Sequence, residues 1–259
     1  MKNKYFALIA IALVLMLVTL SGCHFTYLLG KRQMRGNGSV TEHAEDIDGR
    51  KAYAYTLIVT DLNFDPGRAG TLTVNETDGN DLVVKTDKNI LDTLTVSVDE
   101  NTATITVAGD SRFRYDPSEF SITVGAALVK ANIDGMFTLD IRQQTIPELY
   151  MTVNGACDGD LRLGDNLQDL DMKINGATDL NLYGAAERFK LHINGAASIE
   201  AYELEAMQAD VTINGAGSCK VYASQSLKAH INGAGELLYD GNPATVDQSI
   251  SGVGVIRAK

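Results

Sequence analysis

Few side chains here are of a kind that does chemistry, and their spacing limits what they could do. His192 and His230 each stand two residues before an Asn-Gly pair. A metal site would need both ring nitrogens within about 2.1 Å of one ion. If each Asn-Gly marks one turn of a stack, a rung carrying Thr212 separates them by roughly 10 Å, so no metal site is predicted. Cys157 and Cys219 are the only cysteines after Cys23, and their spacing suits neither a zinc site nor a disulfide framework. Bridging them would need Cα atoms within roughly 7 Å, which rungs so far apart do not allow. Cys219 falls where equivalent stretches carry Leu or Ile, the place of a small buried thiol.

Carboxylates are plentiful, yet their one regular column is interleaved with lysines. A glycan-cleaving site needs two carboxyls about 5–10 Å apart across one bond. No nucleophile–base motif or nucleotide fingerprint occurs, and no Lys-Ser/Thr follows the Asn-Gly glycines to make a phosphate cradle. The sequence predicts no catalytic residue and no cofactor. What remains is a set of tyrosines. Tyr183, Tyr202 and Tyr222 each stand eight residues after such an Asn. Read as an exposed ladder on consecutive rungs, they either stack and stiffen the structure or offer a flat platform to sugar rings or a partner surface.

The elements that would position these residues come from a repeat. Asn154-Gly155, Asn175-Gly176, Asn194-Gly195, Asn214-Gly215 and Asn232-Gly233 recur at spacings of 21, 19, 20 and 18. Ile133-Asp134-Gly135 and Ile250-Ser251-Gly252 are weaker copies. A period near 20 marks a repeat architecture. Five, three and one residues before each Asn stand apolar sets: Val129/Ala131/Ile133, Leu149/Met151/Val153, Leu170/Met172/Ile174, Phe189/Leu191/Ile193, Ala209/Val211/Ile213 and Leu227/Ala229/Ile231. Such alternation is that of a half-buried strand. A second alternating pair follows each Asn, as in Leu180/Leu182 and Ile199/Ala201. In the Asn154 unit it comes later, as Leu161/Leu163, with Cys157-Asp158 read as an insertion.

Two geometries fit strand, Asn-Gly, strand. Asn-Gly is the strongest short hairpin signal, so a row of antiparallel hairpins is one. The other is a parallel coil in which each unit makes one rung. The files favour the coil, because stacked rungs place like on like at about 4.8 Å and let asparagine amides hydrogen-bond from rung to rung, for roughly 0.5–1.5 kcal/mol each. The column four residues before the Asn agrees: Tyr150, Asp171, Lys190, Asp210, Lys228, Asp247 alternate in sign as adjacent rungs prefer. A corner holding Gly195 at positive φ would make Gly195→Val cost at least about 1–3 kcal/mol. Residues 129–256 are thus read as regular rungs of an all-β solenoid. Residues 51–128 are a less regular β-rich lead-in, either early rungs or a layer capping the open end. Gln248 and Arg257-Ala258-Lys259 read as a blunt stop.

The N-terminus belongs to targeting. Lys2 and Lys4 precede an apolar run over residues 5–20, and Leu20-Ser21-Gly22-Cys23 closes it. This is a secretory signal, too short for a spanning helix. Its ending resembles the bacterial lipobox, which implies cleavage after residue 22, lipidation of Cys23 and a membrane held as partner through that anchor. Residues 23–50, polar and Gly-containing, read as a lipidated tether. The formal charge of −11 grows more negative once the two lysines leave. It argues against nucleic acid and against an anionic lipid face.

Serial apolar-Asn/Ser-Gly-Ala/Ser units behind a lipobox resemble the head GIN domain family, catalogued as "putative autotransporter adhesins". The resemblance covers roughly residues 50–256. It implies a right-handed parallel β-helix, a periplasmic or cell-surface place on the inner or outer membrane, and no known catalytic residues. Fold alone does not confer function. The expectation is a lipid-anchored, non-catalytic lipoprotein for binding, adhesion or structure, with a glycan or surface protein as partner. A polysaccharide-active enzyme and a self-stacking homo-oligomeric scaffold are the alternatives.

Overall fold

The computed structural model describes residues 31–47, 54–76 and 81–259. The signal segment and Cys23 lie outside these residues. Parallel strands stack into a solenoid. Each rung has a first arm that runs into the Asn-Gly corner, a second arm that leaves it, and a return corner to the next rung. The inward file three residues before the corner passes through Ile105, Leu57, Ala131, Met151, Met172, Leu191, Val211, Ala229 and Gln248, every neighbour in parallel register. All but the last are buried. The coil is therefore the geometry, and the hairpin row is not. Lys190 meets Asp171 at 3.5 Å and Lys228 meets Asp210 at 3.6 Å. Such exposed pairs contribute about 0–1 kcal/mol each, enough to favour one register without holding the fold together.

Two details of register differ from the sequence reading. Val129 is not the inward residue of its rung. Leu128 is buried opposite Tyr55, and the strand bulges before Lys130 meets Thr56. Nor does the Asn154 unit contain an insertion at Cys157-Asp158. Gly159 lies level with Leu180 and Leu161 with Leu182. The unequal unit lengths are absorbed at the return corner, where pairing slips between Asn181 and Tyr183 and again between Ala201 and Glu205. Cys157 and Cys219 are buried free thiols. Burial pushes the Cys157 thiol up to about 12 and raises that of Cys219 as well.

The lead-in contains both rungs and a cap, and its rungs are out of chain order. Tyr55–Leu62 and Gly70–Asn75 stack directly on Leu128–Gln143. Thr104–Ala108 and Phe120–Val124, later in sequence, stack on the far side of that first rung. The rung at 55–75 is thus enclosed between 104–124 and 128–143. Phe64, Phe120 and Phe137 lock the three together through edge-on contacts at centroid separations of 5.1, 5.6 and 6.4 Å. The outermost rung is then covered by antiparallel strands. Thr95–Asp99 pairs with Thr104–Ala108, Asp81–Asp87 with Phe120–Val124, and Val40–Asp46 with Asp81–Asp87. A one-turn helix, Lys88–Leu91, drops Ile90 into the core.

The spacer reading of residues 23–50 fails where the chain is described. Arg32–Arg35 pairs with Phe113–Asp116, and Val40–Asp46 forms the outer cap strand. Its sequence VTEHAED has no apolar alternation because neither face of this edge strand is buried; charge on such an edge guards against further pairing.

Asp87 fastens this segment. Its carboxylate is buried and accepts hydrogen bonds from the Gly38 N–H at 2.6 Å, the Ser118 N–H at 2.6 Å and the Ser118 hydroxyl at 3.0 Å. Burial pushes its pKa up, but the bonds from Ser118 and Gly38 outweigh this and leave it below the usual value. A depressed folded pKa adds stability that is present above the unfolded value, about 3.9, and is lost as pH falls through the folded one. Denaturant titrations from pH 7 to pH 2 are expected to show the native chain losing more stability below pH 4 than Asp87→Asn does. At pH 7 the variant is expected to be about 1–3 kcal/mol weaker. A gap between the two that does not change with pH would contradict this role.

Candidate binding surface

The Asn-Gly corners make a ladder along one edge of the solenoid. Asn175, Asn194, Asn214 and Asn232 each donate Nδ2 to the Oδ1 of the preceding asparagine, from Asn154 onward, at 2.8 Å in every step. The glycines beside them are forced by close approach. A Cβ on Gly155, Gly176, Gly195, Gly215 or Gly233 would lie 1.6, 1.7, 2.0, 2.0 or 2.1 Å from the carbonyl oxygen of the preceding corner glycine. That oxygen is already engaged: the Ala177, Ala196, Ala216 and Ala234 N–H groups bond to the Gly155, Gly176, Gly195 and Gly215 oxygens at 3.0–3.1 Å. None of these five glycines is in the left-handed region, whereas Gly135 and Gly252, at the weaker copies, have φ of 140° and 139°. The positive-φ premise for Gly195 is therefore wrong, and backbone crowding takes its place.

The three tyrosines do not form a file. Tyr183 is level with Arg162 and Glu203, and Tyr222 with Glu205 and Asp240. Tyr202 falls in the slip between them. The Arg162 guanidinium sits 5.0 Å above the Tyr183 ring, and the Lys259 ammonium 4.6 Å above the Tyr202 ring. Burial raises the Tyr202 pKa, as do Asp240, Glu200 and Glu236 against the pull of Lys220. Two of the three faces are thus covered by cations. Counting forward from an Asn loses register at the return corner, since the corners differ in length.

Tyr222 opens onto a cleft. A cavity of about 550 Å³ at the return corner is lined by Asp165, Gln168, Glu187, Glu205, Met207 and Tyr222, among others. A second, of about 540 Å³, adjoins it along the first arms and includes Tyr150, Asp169, Arg188, Gln208 and Lys228. The two clefts lie side by side, their linings adjacent in the chain at Gln168 and Asp169, Glu187 and Arg188, and Met207 and Gln208, and we refer to the pair as a groove across the rungs. One outward column along it, Glu148, Asp169, Arg188, Gln208, Ser226, Thr245, loses its charge after Arg188, where the shorter Gln208 and Ser226 follow. Arg188 grips Asp169 through two bonds of 2.5 Å and holds that carboxyl below its usual range. Tyr150 donates to Glu148 at 3.2 Å, and that bond raises its pKa. The column is readable in the sequence once rungs are aligned on the Asn, but its neutral members carry no motif.

His192 and His230 flank Thr212 in one file, and the His230 Nδ1 contacts Ser249 Oγ at 2.5 Å. Among the described residues no group of His, Cys, Asp or Glu is arranged to hold a metal.

A capped parallel β-solenoid with a polar groove across its rungs defines the class of this protein. The family model described as "Putative auto-transporter adhesin, head GIN domain" matches residues 67–243, and the chain belongs to that family. No curated protein matches it in sequence. Among solved structures, an adhesin-named protein from Bacteroides fragilis is similar at TM-score 0.71 and 23% identity, over 87% of this chain and 100% of its own. A protein from Parabacteroides distasonis titled a putative lipid binding protein is similar at TM-score 0.61 and 20% identity, over 88% of this chain and 100% of its own. An adhesin-named protein from Parabacteroides merdae follows at TM-score 0.51 and 19% identity, over 88% and 99%. At these identities the likeness is one of fold.

Proposed function

We propose that this chain is an exported, lipid-anchored binding protein of the bacterial envelope, without catalytic activity, that holds an extended polar polymer such as a glycan across its rungs. The groove from Asp165 to Lys228 is the observation that carries this reading. Its length along the rungs suits a chain molecule. Tyr222 and Tyr150 offer ring faces for sugars, and the Asp169–Arg188 pair offers fixed planar hydrogen-bonding groups. The names borne by the family and its structural neighbours, adhesin and lipid binding, point to binding of some kind. A groove lined by so many charged side chains suits a polar chain better than an acyl chain. The carboxylates whose pKa is displaced, Asp87, Asp99, Asp110, Asp160 and Asp169, are all displaced downward. A glycosidase acid needs the opposite shift.

The anchor would be Cys23. Eight residues lie between it and the first strand at Arg32, a reach of at most roughly 30 Å, so the capped end would stand near the membrane. No described helix is long and apolar enough to cross one.

Glycan-array binding by the labelled chain tests the groove. Tyr222→Ala and Arg188→Ala are each expected to weaken binding at least about tenfold, roughly 1.4 kcal/mol, while Tyr183→Ala leaves it unchanged. Binding indifferent to Tyr222 and Arg188 would remove the groove from consideration, and cleavage of any arrayed glycan would favour the enzyme alternative.

A further inference from the structure

The two outermost described rungs are covered differently. Rung 104–124 is covered by antiparallel strands, as described above. At the other end, Thr245–Ile250 and Val253–Ala258 pair back onto the preceding rung, and no strand among the described residues pairs with their far edge. Val246, Ile250, Val253 and Val255 are 39%, 46%, 72% and 47% exposed. Val246 and Ile250 continue the inward files of Leu227 and Ile231, so a missing neighbour accounts for them. Val253 and Val255 are another matter. Their files hold Ala234 and Ala216, and Glu236 and Ser218, in the rungs below. Val253 continues a file of alanines that the inner rungs cover, Ala216 among them at 5% exposure. Val255 is a β-branched apolar residue in a file that elsewhere presents Ser218 and Glu236 partly to water. The basic side chains of this rung turn back on the preceding one, Arg257 to Glu236 at 3.0 Å and Lys259 to Asp240 at 3.4 Å. Natural sheet edges are protected by charge, proline or cover; this one has its basic side chains drawn back and leaves four apolar side chains exposed.

We infer that this rung docks on the same rung of a second copy, about a two-fold axis passing beside Gly252. The two terminal strands are equal in length, six residues each, on either side of the corner. A two-fold rotation through that corner lays 245–250 of one copy antiparallel to 253–258 of the other, and the reverse by symmetry. Pairing centred on Gly252 keeps inward positions opposite inward ones. Ile250 then faces the partner's Gly254, Gln248 the partner's Ile256, and Val246 the partner's Ala258. A shift by one residue would oppose inward to outward throughout. The same register sets Asp247 opposite the partner's Arg257 on the outer face, an opposite-charge cross-strand pair, and Ser249 opposite the partner's Val255. Four strands gain hydrogen-bonded neighbours, and the exposed valines are covered. This contact does not depend on the groove or on what it holds.

Cysteine pairs test the register, since directly opposed residues of antiparallel strands fall within disulfide reach. In cells expressing the full chain, Ser249→Cys/Val255→Cys is expected to give a disulfide-linked dimer on mild oxidation. Neither single substitution nor the native chain should do so. Adding Asp247→Arg or Arg257→Asp to that pair is expected to cut cross-linking at least tenfold, and adding both to restore most of it. If the cysteine pair disturbs folding, sedimentation of the purified full chain decides: the native chain should sediment as a dimer at micromolar concentration and Val253→Lys as a monomer. A native chain that stays monomeric, cross-linking indifferent to charge reversal, or capture of a different protein in place of a second copy would each overturn the inference.

Discussion

Gly176→Ala is expected to lower the stability of this protein by at least about 3 kcal/mol, or to prevent folding. The added Cβ would stand 1.7 Å from the Gly155 oxygen, and that oxygen already accepts the Ala177 N–H. Relief requires the two rungs to part at the corner, which breaks this bond and strains the asparagine amides beside it. Overpacking costs about 1–3 kcal/mol, at the upper end here because the clash is with backbone, and loss of the bond from the half-buried Ala177 adds about 0.5–1.5 more. The corners supply their own graded comparison. Gly215→Ala meets an oxygen at 2.0 Å and is expected to be nearly as harmful. Gly235→Ala would meet its nearest oxygen, that of Gly217, at 3.0 Å. Part of that crowding is offset by the lower entropy of an unfolded chain bearing Ala, so a loss of about 1 kcal/mol or less is expected. Thermal and denaturant unfolding of the three variants should rank them in this order. Equal losses in all three would mean that the oxygen contact is not what requires glycine.

Phe64→Ala is expected to cost about 3–5 kcal/mol, the range for removing a buried aromatic ring. Phe64 is 1% exposed, and Phe120 and Phe137 lie edge-on to it. Its importance exceeds its area, because Phe120 and Phe137 belong to the rungs on either side of the one that carries it. A double-mutant cycle between Phe64→Ala and Phe120→Ala should show coupling of about 0.5–1.5 kcal/mol. Strict additivity would show that the outer rung is not held through this ring.

The regular rungs were legible in the sequence because each file is imposed in the same way at every level. Met151, Met172, Leu191 and Val211 must face inward together, and five Asn-Gly pairs mark the corners that keep them in phase. The corner glycines could be singled out by type, though the reason for them, a carbonyl oxygen of the adjacent rung within 2.1 Å of where a Cβ would stand, exists only between rungs. Legibility failed where the constraint was not periodic. Nothing in TITVA or FSITV states that residues 104–124 lie outside residues 55–75, since any apolar rung can stack on any other. VTEHAED hid its strand because a polar edge needs no core face. Tyr183, Tyr202 and Tyr222 were displaced from one another by return corners of unequal length. The groove escaped because the column along it merely shortens, Gln208 and Ser226 after Arg188, and a loss of bulk carries no signature.

The enclosed rung at 55–75 has a consequence for biosynthesis. A chain emerging from the ribosome N-terminus first completes this rung early, yet both of its stacking surfaces belong to segments translated later, up to Gln143. Through that interval a freshly made rung has unsatisfied sheet edges on each side and no registered partner, the state most open to wrong association. Assembly then has to insert it between two latecomers, a non-local step that slows folding. A holding chaperone would act on this stretch, and the later rungs could each zip onto a finished template without such help.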